Sequence, residues 1–153
     1  MKLSKKGEYA LKALIELAIN HNKGIPVTLI NDVAERKGIP HKYLEQILLS
    51  LKNAGILEAK RGVGGGYSLS RSPENINLGE IIRVVDGPLT PVNCVSTDPH
   101  APCPDESLCG LYSVMLEVRN AVSNILDDTS LKDVARRTLD LIDRQEKVPT
   151  YAI

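Results

Sequence analysis

The sequence predicts a mainly α fold with one small β-hairpin, and three observations lead to it. Apolar residues recur at helical spacing over residues 4–20, 28–38 and 41–54, and the link between the second and third helices is short and contains glycine. After residue 55 the pattern changes to two strand-like runs, 56–60 and 67–70, around a glycine-rich turn. A long helical pattern then begins at Leu111. Together these features predict a winged helix-turn-helix followed by a long dimerisation helix.

Capping and helix-breaking residues set the predicted boundaries. Thr28 is expected to cap the second helix, and Asn77, followed by Glu80, resembles a capping box that starts a short helix ending at Val85. The last helix is expected to start at Ser130 and to run to about residue 144. The residues expected to open or end the remaining elements are Gly38, Pro40, Gly55 and the segment Asp86-Gly87-Pro88.

The long helix from Leu111 to about residue 126 has two apolar faces. Met115, Val122 and Leu126 form one of them. The other repeats at the 3–4 spacing of a helix–helix seam and consists of Leu111, Val114, Val118, Ala121 and Ile125. A helix with two apolar faces must be covered twice, so we expect a homodimer. The alternative is a helix buried in its own core.

These elements predict five segments. Residues 1–72 form a winged helix-turn-helix DNA-binding domain, and residues 73–91 hold a connecting helix. Residues 92–110 form a cysteine loop. The dimerisation helix and a C-terminal helix occupy residues 111–145, and residues 146–153 are a tail.

Charge divides the chain and favours a nucleic-acid partner. Residues 1–72 hold twelve Lys/Arg and six Asp/Glu, whereas residues 73–153 hold seven and thirteen. A basic half suits a polyanion such as double-stranded DNA. No apolar run is long enough to span a membrane, and Glu8, Lys12 and Glu16 interrupt any signal peptide, so we expect a cytoplasmic protein. Because no Ser/His/Asp set or phosphate-binding loop is present, we do not expect an enzyme.

The helix-turn-helix predicts which side chains meet DNA. The start of its second helix enters the major groove, where Gln46 could bind adenine and Glu45 could accept from cytosine. Lys5 and Lys6 are expected at phosphates, and Arg61 at a phosphate or in the minor groove. The alternative is an ordinary solvated helix face. The remaining members of the predicted DNA-binding set are Thr28, His41, Lys42, Tyr43 and Gly62.

All three cysteines of the chain, Cys94, Cys103 and Cys109, lie in the loop at residues 92–110. An odd number of cysteines in a reducing compartment argues against a disulfide framework. Thiolates are soft ligands that select Fe–S clusters, zinc or Cu(I). The C-x8-C-x5-C spacing matches neither zinc fingers nor ferredoxins, so spacing leaves open a cluster, zinc or free thiols. Candidates for a fourth ligand within or beside the loop are His100, Asp105 and Tyr112.

Four segments and the three cysteines together carry a resemblance to a known family. The segments are Met1-Lys2-Leu3-Ser4-Lys5-Lys6-Gly7-Glu8-Tyr9-Ala10, Tyr43-Leu44-Glu45-Gln46, Arg61-Gly62-Val63-Gly64-Gly65-Gly66-Tyr67 and Leu78-Gly79-Glu80-Ile81-Ile82. On these residues the chain resembles the winged-helix repressor family that includes the iron–sulfur cluster regulator IscR, the nitric oxide sensor NsrR and the cysteine-metabolism regulator CymR, and among these it resembles IscR most.

The resemblance implies a homodimer joined through the long helix, a palindromic operator and an iron–sulfur cluster, with [2Fe–2S] favoured over [4Fe–4S]. It implies that the cysteines are cluster ligands and that the state of the cluster controls DNA binding by a repressor. Family members often place a His where Tyr112 stands. Others use a carboxylate of the partner's first helix, which here implies Glu8 of the partner subunit. The alternatives are a cluster-free regulator similar to CymR and a nitric-oxide-sensing [4Fe–4S] repressor similar to NsrR.

Overall fold

A computed structural model describes residues 2–97 and 103–147. That part of the chain contains six α-helices and one antiparallel hairpin, which confirms the predicted mainly α fold. Three short 3-10 turns occupy 73–75, 93–95 and 106–108. Most of the predicted tail, residues 148–153, lies outside the described residues. The elements are α1 Lys5–Asn22, α2 Ile30–Lys37, α3 His41–Asn53, β1 Leu57–Lys60, β2 Gly66–Leu69, α4 Leu78–Asp86, α5 Gly110–Asp128 and α6 Leu131–Glu146.

Helix α1 lies at the centre of the core. It packs against α2, α3, α4, α6 and the hairpin. The small side chains of Ala10, Ala13 and Ala18 are completely buried, and they let these neighbours approach closely around Leu14 and Leu17. The rest of the core comes from the inward faces of the other elements, including Leu44, Ile47, Leu48, Leu51, Ile56, Ile76, Ile81 and Leu131.

A buried carboxylate fixes the first helix of the helix-turn-helix unit to α1. Glu16 is 7% exposed and pairs with Arg36 and Lys37, each at 2.9 Å. Burial raises the pKa of Glu16, but hydrogen bonds from Lys37 and Arg36 and their positive charges outweigh burial and hold the pKa below its usual value. Glu16 therefore stays ionised and ties the end of α2 to α1.

Thr28 is not a helix cap, so that prediction is wrong. The N-cap position of α2 is Leu29, and no side chain bonds there. Thr28 is buried instead, and its hydroxyl oxygen accepts a hydrogen bond from Asn20 Nδ2 at 3.1 Å. Its backbone pairs with Tyr67 through two hydrogen bonds of 2.8 and 2.9 Å. Because this pairing holds Thr28 beside the hairpin, it cannot also begin the helix.

The hairpin is the predicted wing. Its register pairs Leu57 with Leu69 and Lys60 with Gly66, and Thr28 pairs with Tyr67 through an isolated bridge. Gly66 makes this possible: a Cβ there would lie 2.3 Å from the carbonyl oxygen of Thr28. The wing therefore rests on the segment before α2, and glycine permits the contact.

The starts of α4 and α6 are capped as predicted. The Asn77 side chain accepts from the backbone N–H of Glu80 at 2.7 Å, but the Glu80 carboxylate pairs with Arg71 and not with the cap backbone. Ser130 and Asp133 form a complete capping box. From there α6 returns to α1, so one core joins the two ends of the described chain.

Two glycine substitutions in the wing should have unequal effects. Gly66→Ala places a methyl group into the Thr28 carbonyl at a φ of +155°, whereas Gly64 has a φ of +72° and open space around it. We expect Gly64→Ala to cost about 1–2 kcal/mol from its left-handed backbone alone. Gly66→Ala should cost more, because overlap adds to backbone strain and breaks the Thr28 pairing. Urea unfolding measures both variants, and equal losses would contradict this account of the wing.

Candidate nucleic-acid interface and cysteine loop

One face of α3 is exposed over two turns. Lys42, Glu45 and Gln46 lie on it, while Leu44, Ile47, Leu48 and Leu51 are buried on the other face. His41, at the start of the helix, has Nδ1 3.5 Å from a carboxylate oxygen of Glu45. The prediction missed Leu49, which is half exposed and continues the same face. The spacing i, i+3, i+4, i+7 from Lys42 would have found it.

Aromatic contacts place the start of α1 beside the start of α3. The rings of Tyr9 and Tyr43 meet edge to face with centroids 5.7 Å apart. Lys5 Nζ lies 5.4 Å from the centre of the Tyr9 ring. Tyr43 is therefore half buried, and Lys5 stands near the predicted reading helix. Lys6 is half buried as well.

Glu8 takes part in exposed ion pairs on α1. Its carboxylate lies 2.9 Å from Lys5 and 3.5 Å from Lys12. The hydrogen bond from Lys5, with the charges of both lysines, holds the pKa of Glu8 below its usual value. The side chain remains 43% exposed, so it is accessible from outside the protomer.

The wing tip is fully open. Arg61, Gly62, Val63 and Gly64 are all exposed, and both glycines have positive φ, +89° and +72°. Because only glycine adopts such angles readily, the two glycines permit this tight turn. Arg61 lies in the exposed tip that the turn forms.

The three cysteines are free and partly buried. Cys94 lies in the turn at 93–95, and Cys109 immediately precedes α5. Among the described residues, no three His, Cys, Asp or Glu side chains come together to hold a metal ion. His100 lies outside the described residues. Tyr112 faces the loop: a hydrogen bond to Glu106 raises its pKa, and the nearby Cys94 adds to the effect.

Two anchors that the sequence did not reveal hold the ends of this segment. The Arg119 guanidinium of α5 donates to the carbonyl oxygen of Val95 at 2.8 Å, and Val95 is buried. Asp86, at the end of α4, accepts hydrogen bonds from the backbone N–H of Ser4 at 2.8 Å and from its hydroxyl. Gly7 lies against the same carboxylate. The segment that carries Cys94 is thus fixed to α5 on one side and to the start of α1 on the other.

The comparisons with known proteins match this architecture. A family described as Rrf2, iron-dependent transcriptional regulator, matches residues 3–137. The chain belongs to the Rrf2 family. The regulator CymR of Bacillus subtilis is 37% identical over 138 residues, which is 90% of this chain and 92% of CymR. The regulator IscR of Vibrio atlanticus is 33% identical over 148 residues, or 95% of this chain and 83% of IscR.

Solved structures of family members have the same fold as this chain. CymR of B. subtilis, a global cysteine regulator, superposes with a TM-score of 0.72 at 35% identity, covering 90% of this chain and 98% of CymR. IscR of T. potens superposes with a TM-score of 0.70 at 29% identity, covering 99% of this chain and 94% of IscR. Membership confirms the predicted winged-helix fold, the assignment as a DNA-binding transcriptional regulator and the prediction that the chain is not an enzyme. No helix within 2–97 and 103–147 is long and apolar enough to cross a membrane.

Proposed function

We propose that this chain is a homodimeric, IscR-like repressor whose hold on a palindromic operator depends on an iron–sulfur cluster. The observation that carries the proposal is where the cysteines lie. All three are in the segment that joins the winged-helix unit to α5, and Cys109 directly precedes that helix. A change at the cysteines would therefore act between the surface that reads DNA and the helix that faces a partner.

The DNA surface consists of the exposed face of α3, the start of α1 and the wing tip. Gln46 and Glu45 read base edges, and Arg61 contacts phosphate or the minor groove. Thr28 is left out of this surface because its hydroxyl is buried against Asn20. The other contributors are Lys5, Lys6, His41, Lys42, Tyr43 and Gly62, of which Tyr43 serves mainly to position α3.

Substitutions on this surface should separate affinity from specificity. Arg61→Gln should weaken binding to all sequences alike and lower the slope of log K against log salt by about 1, because one phosphate contact is lost. Gln46→Ala should cost about 1–3 kcal/mol on the operator and relax preference at one base pair. Lys132→Gln, on α6, is the matched control and should bind normally. Filter binding across a salt series and an operator library measures all three, and losses as large for Lys132→Gln would contradict the assigned surface.

The second subunit covers α5. Leu111, Val114, Val118 and Ile125 are 63%, 52%, 40% and 67% exposed, although they form one continuous apolar stripe. A soluble monomer rarely leaves such a stripe in water. None of the α5 residues is fully buried within the protomer, so the alternative of a helix buried in its own core finds no support.

A charge in the stripe should dissociate the dimer. Val118→Glu places a carboxylate at the middle of the stripe, where burial without a partner charge is costly. We expect sedimentation equilibrium to give twice the chain mass of 16.7 kDa for the wild type and that mass for the variant. Ala59→Glu adds the same charge at an exposed hairpin position and should remain dimeric. A dimeric Val118→Glu protein with unchanged affinity would refute α5 as the interface.

The donor set suits an iron–sulfur cluster. Cys94, Cys103 and Cys109 supply three soft ligands on a partly buried loop. Glu8 of the partner subunit is the proposed fourth ligand, because relatives of this family use a carboxylate of the partner's first helix and the Glu8 side chain is 43% exposed. When bound, the cluster would supply an iron centre sensitive to iron supply, redox state and nitric oxide. [2Fe–2S] is favoured over [4Fe–4S] by the resemblance to IscR.

The protein's own contacts provide a route from this loop to DNA. Asp86 connects the end of α4 to Ser4, and Lys5 beside it approaches Tyr9, which contacts Tyr43 of α3. A displacement of the loop that moved α4 would therefore shift the start of α1 and the reading helix. A coupling free energy of about 1–3 kcal/mol would change operator affinity about 5–150-fold.

The cluster proposal is tested on protein purified without air. We expect visible absorption, equal iron and acid-labile sulfide, and different operator affinities for holo and apo protein.

Cys109→Ala should lose the iron, because a thiolate ligand is removed. Glu8→Gln should lose the cluster faster, while Glu35→Gln, an exposed glutamate of α2, should behave as wild type. Colourless, iron-free protein after anaerobic reconstitution would favour the cluster-free alternative, and an unchanged Glu8→Gln holoprotein would remove Glu8 from the ligand set.

A further inference from the structure

We propose that a cavity beside the cysteine loop is a binding site for a small anion bearing a carboxylate or phosphate group. The cavity has a volume of about 340 Å³ and lies between the end of α4, the segment after it and one face of α5. This is within the size range of small-molecule sites in proteins. The site is separate from the cysteines and from the DNA surface, and the proposal does not depend on the function proposed above.

The cavity is positively charged. Its described lining includes Arg83 and Arg119 and no acidic residue. Asp127 holds Arg83 through two hydrogen bonds of 2.7 and 2.8 Å, so the charge of that arginine is largely balanced. Among residues 2–97 and 103–147, Arg119 contacts only neutral oxygens, those of Val95 and Asn120. A guanidinium without a carboxylate partner in a cavity is a group that recognises anions.

Polar groups around the arginines fit the same kind of ligand. Thr90, Thr97, Asn120 and Ser123 line the cavity, and their side chains carry three hydroxyl groups and an amide. Hydroxyl and amide donors beside a cation are what a carboxylate or a phosphate requires. Leu89 and Pro88 leave part of the wall apolar, which would admit the carbon skeleton of a small metabolite.

The site would remain open in the proposed dimer. Arg119 and Ser123 lie one turn apart on α5, whereas Val118 and Ile125 belong to the exposed apolar stripe. Successive helical residues are separated by about 100°, which places the cavity residues and the stripe on opposite sides of the helix. A partner that covers the stripe therefore does not need to cover the cavity.

Occupancy would act on the cysteine loop through Arg119. The same guanidinium that would hold the anion donates to the Val95 carbonyl, one residue after Cys94. An anion that draws Arg119 into the cavity competes with this bond. Anion binding would thus be a second signal that acts on the loop, in addition to chemistry at the cysteines.

The test is a titration of apo, full-length protein with inorganic phosphate and, separately, with succinate, at constant ionic strength in chloride. We expect saturable amide shifts at residues 87, 89, 90 and 119–123, with a Kd of about 1 mM or tighter for at least one probe. Saturation by phosphate alone identifies phosphate esters as the ligand class, and saturation by succinate alone identifies carboxylates. No saturable shift with either probe overturns the proposal.

Variants locate the binding. Arg119→Gln should weaken it about tenfold or more. Ser123→Leu should block it by filling the cavity while the Val95 bond persists, so a folding defect of Arg119→Gln does not leave the site untested. Arg136→Gln, an arginine of α6 outside the cavity, is the control and should bind as wild type. Equal binding by wild type and Ser123→Leu would overturn the assigned site. Because neither iron nor DNA is present, failure here is distinct from failure of the proposed function.

Discussion

Burial of α1 is the contact on which the rest of the structure depends. Its alanines bring α3, α4, α6 and the hairpin onto one helix, so each of these elements is placed by the same surface. Two polar anchors fix neighbouring helices to α1: Glu16 holds α2 through ion pairs, and Ser4, the N-cap of α1, holds the end of α4 through hydrogen bonds to Asp86. A helix shared by so many neighbours cannot move without moving them. In such a core, elements shift as bodies, because close-packed interiors resist continuous deformation.

This rigidity explains how a short loop could influence a distant helix. The segment from Asp86 to Val95 is held at both ends, by Ser4 of α1 and by Arg119 of α5. A structural change in the loop would therefore act on two anchored residues, one at each end of this segment. Since α1 contacts α3 through Tyr9 and Tyr43, the anchor at Ser4 connects the segment to the proposed DNA surface. The arrangement needs no long-range pathway beyond packed helices.

Much of the fold was predictable because its signals are local. Periodicity, caps and glycine turns predicted the bounds of the helices and the hairpin to within two residues, and the exposed face of α3 followed from spacing alone. The features that sequence reasoning got wrong or missed all depend on contacts between residues that are far apart in the sequence. Thr28 looked like a cap, but pairing with Tyr67 and burial against Asn20 overrode that preference. Asp86 looked like a helix breaker, and nothing local showed that Ser4 would donate to it. The Arg119 bond to Val95 likewise joins residues 24 apart.

In the proposed regulator, different parts of helix α5 serve three roles. Its first residues follow Cys109, its apolar stripe faces outward, and Arg119 with Ser123 lines a cavity on the opposite side. A helix can separate such tasks because side chains only 100° apart point to different neighbours, while its backbone remains one rigid rod. The same rigidity makes the tasks dependent on one another. In the proposed dimer, α5 would set the spacing of the two α3 helices, so a rotation of α5 that began at the thiols or at the cavity would change that spacing. Operators with fixed half-site spacing would convert such a rotation into a difference in affinity.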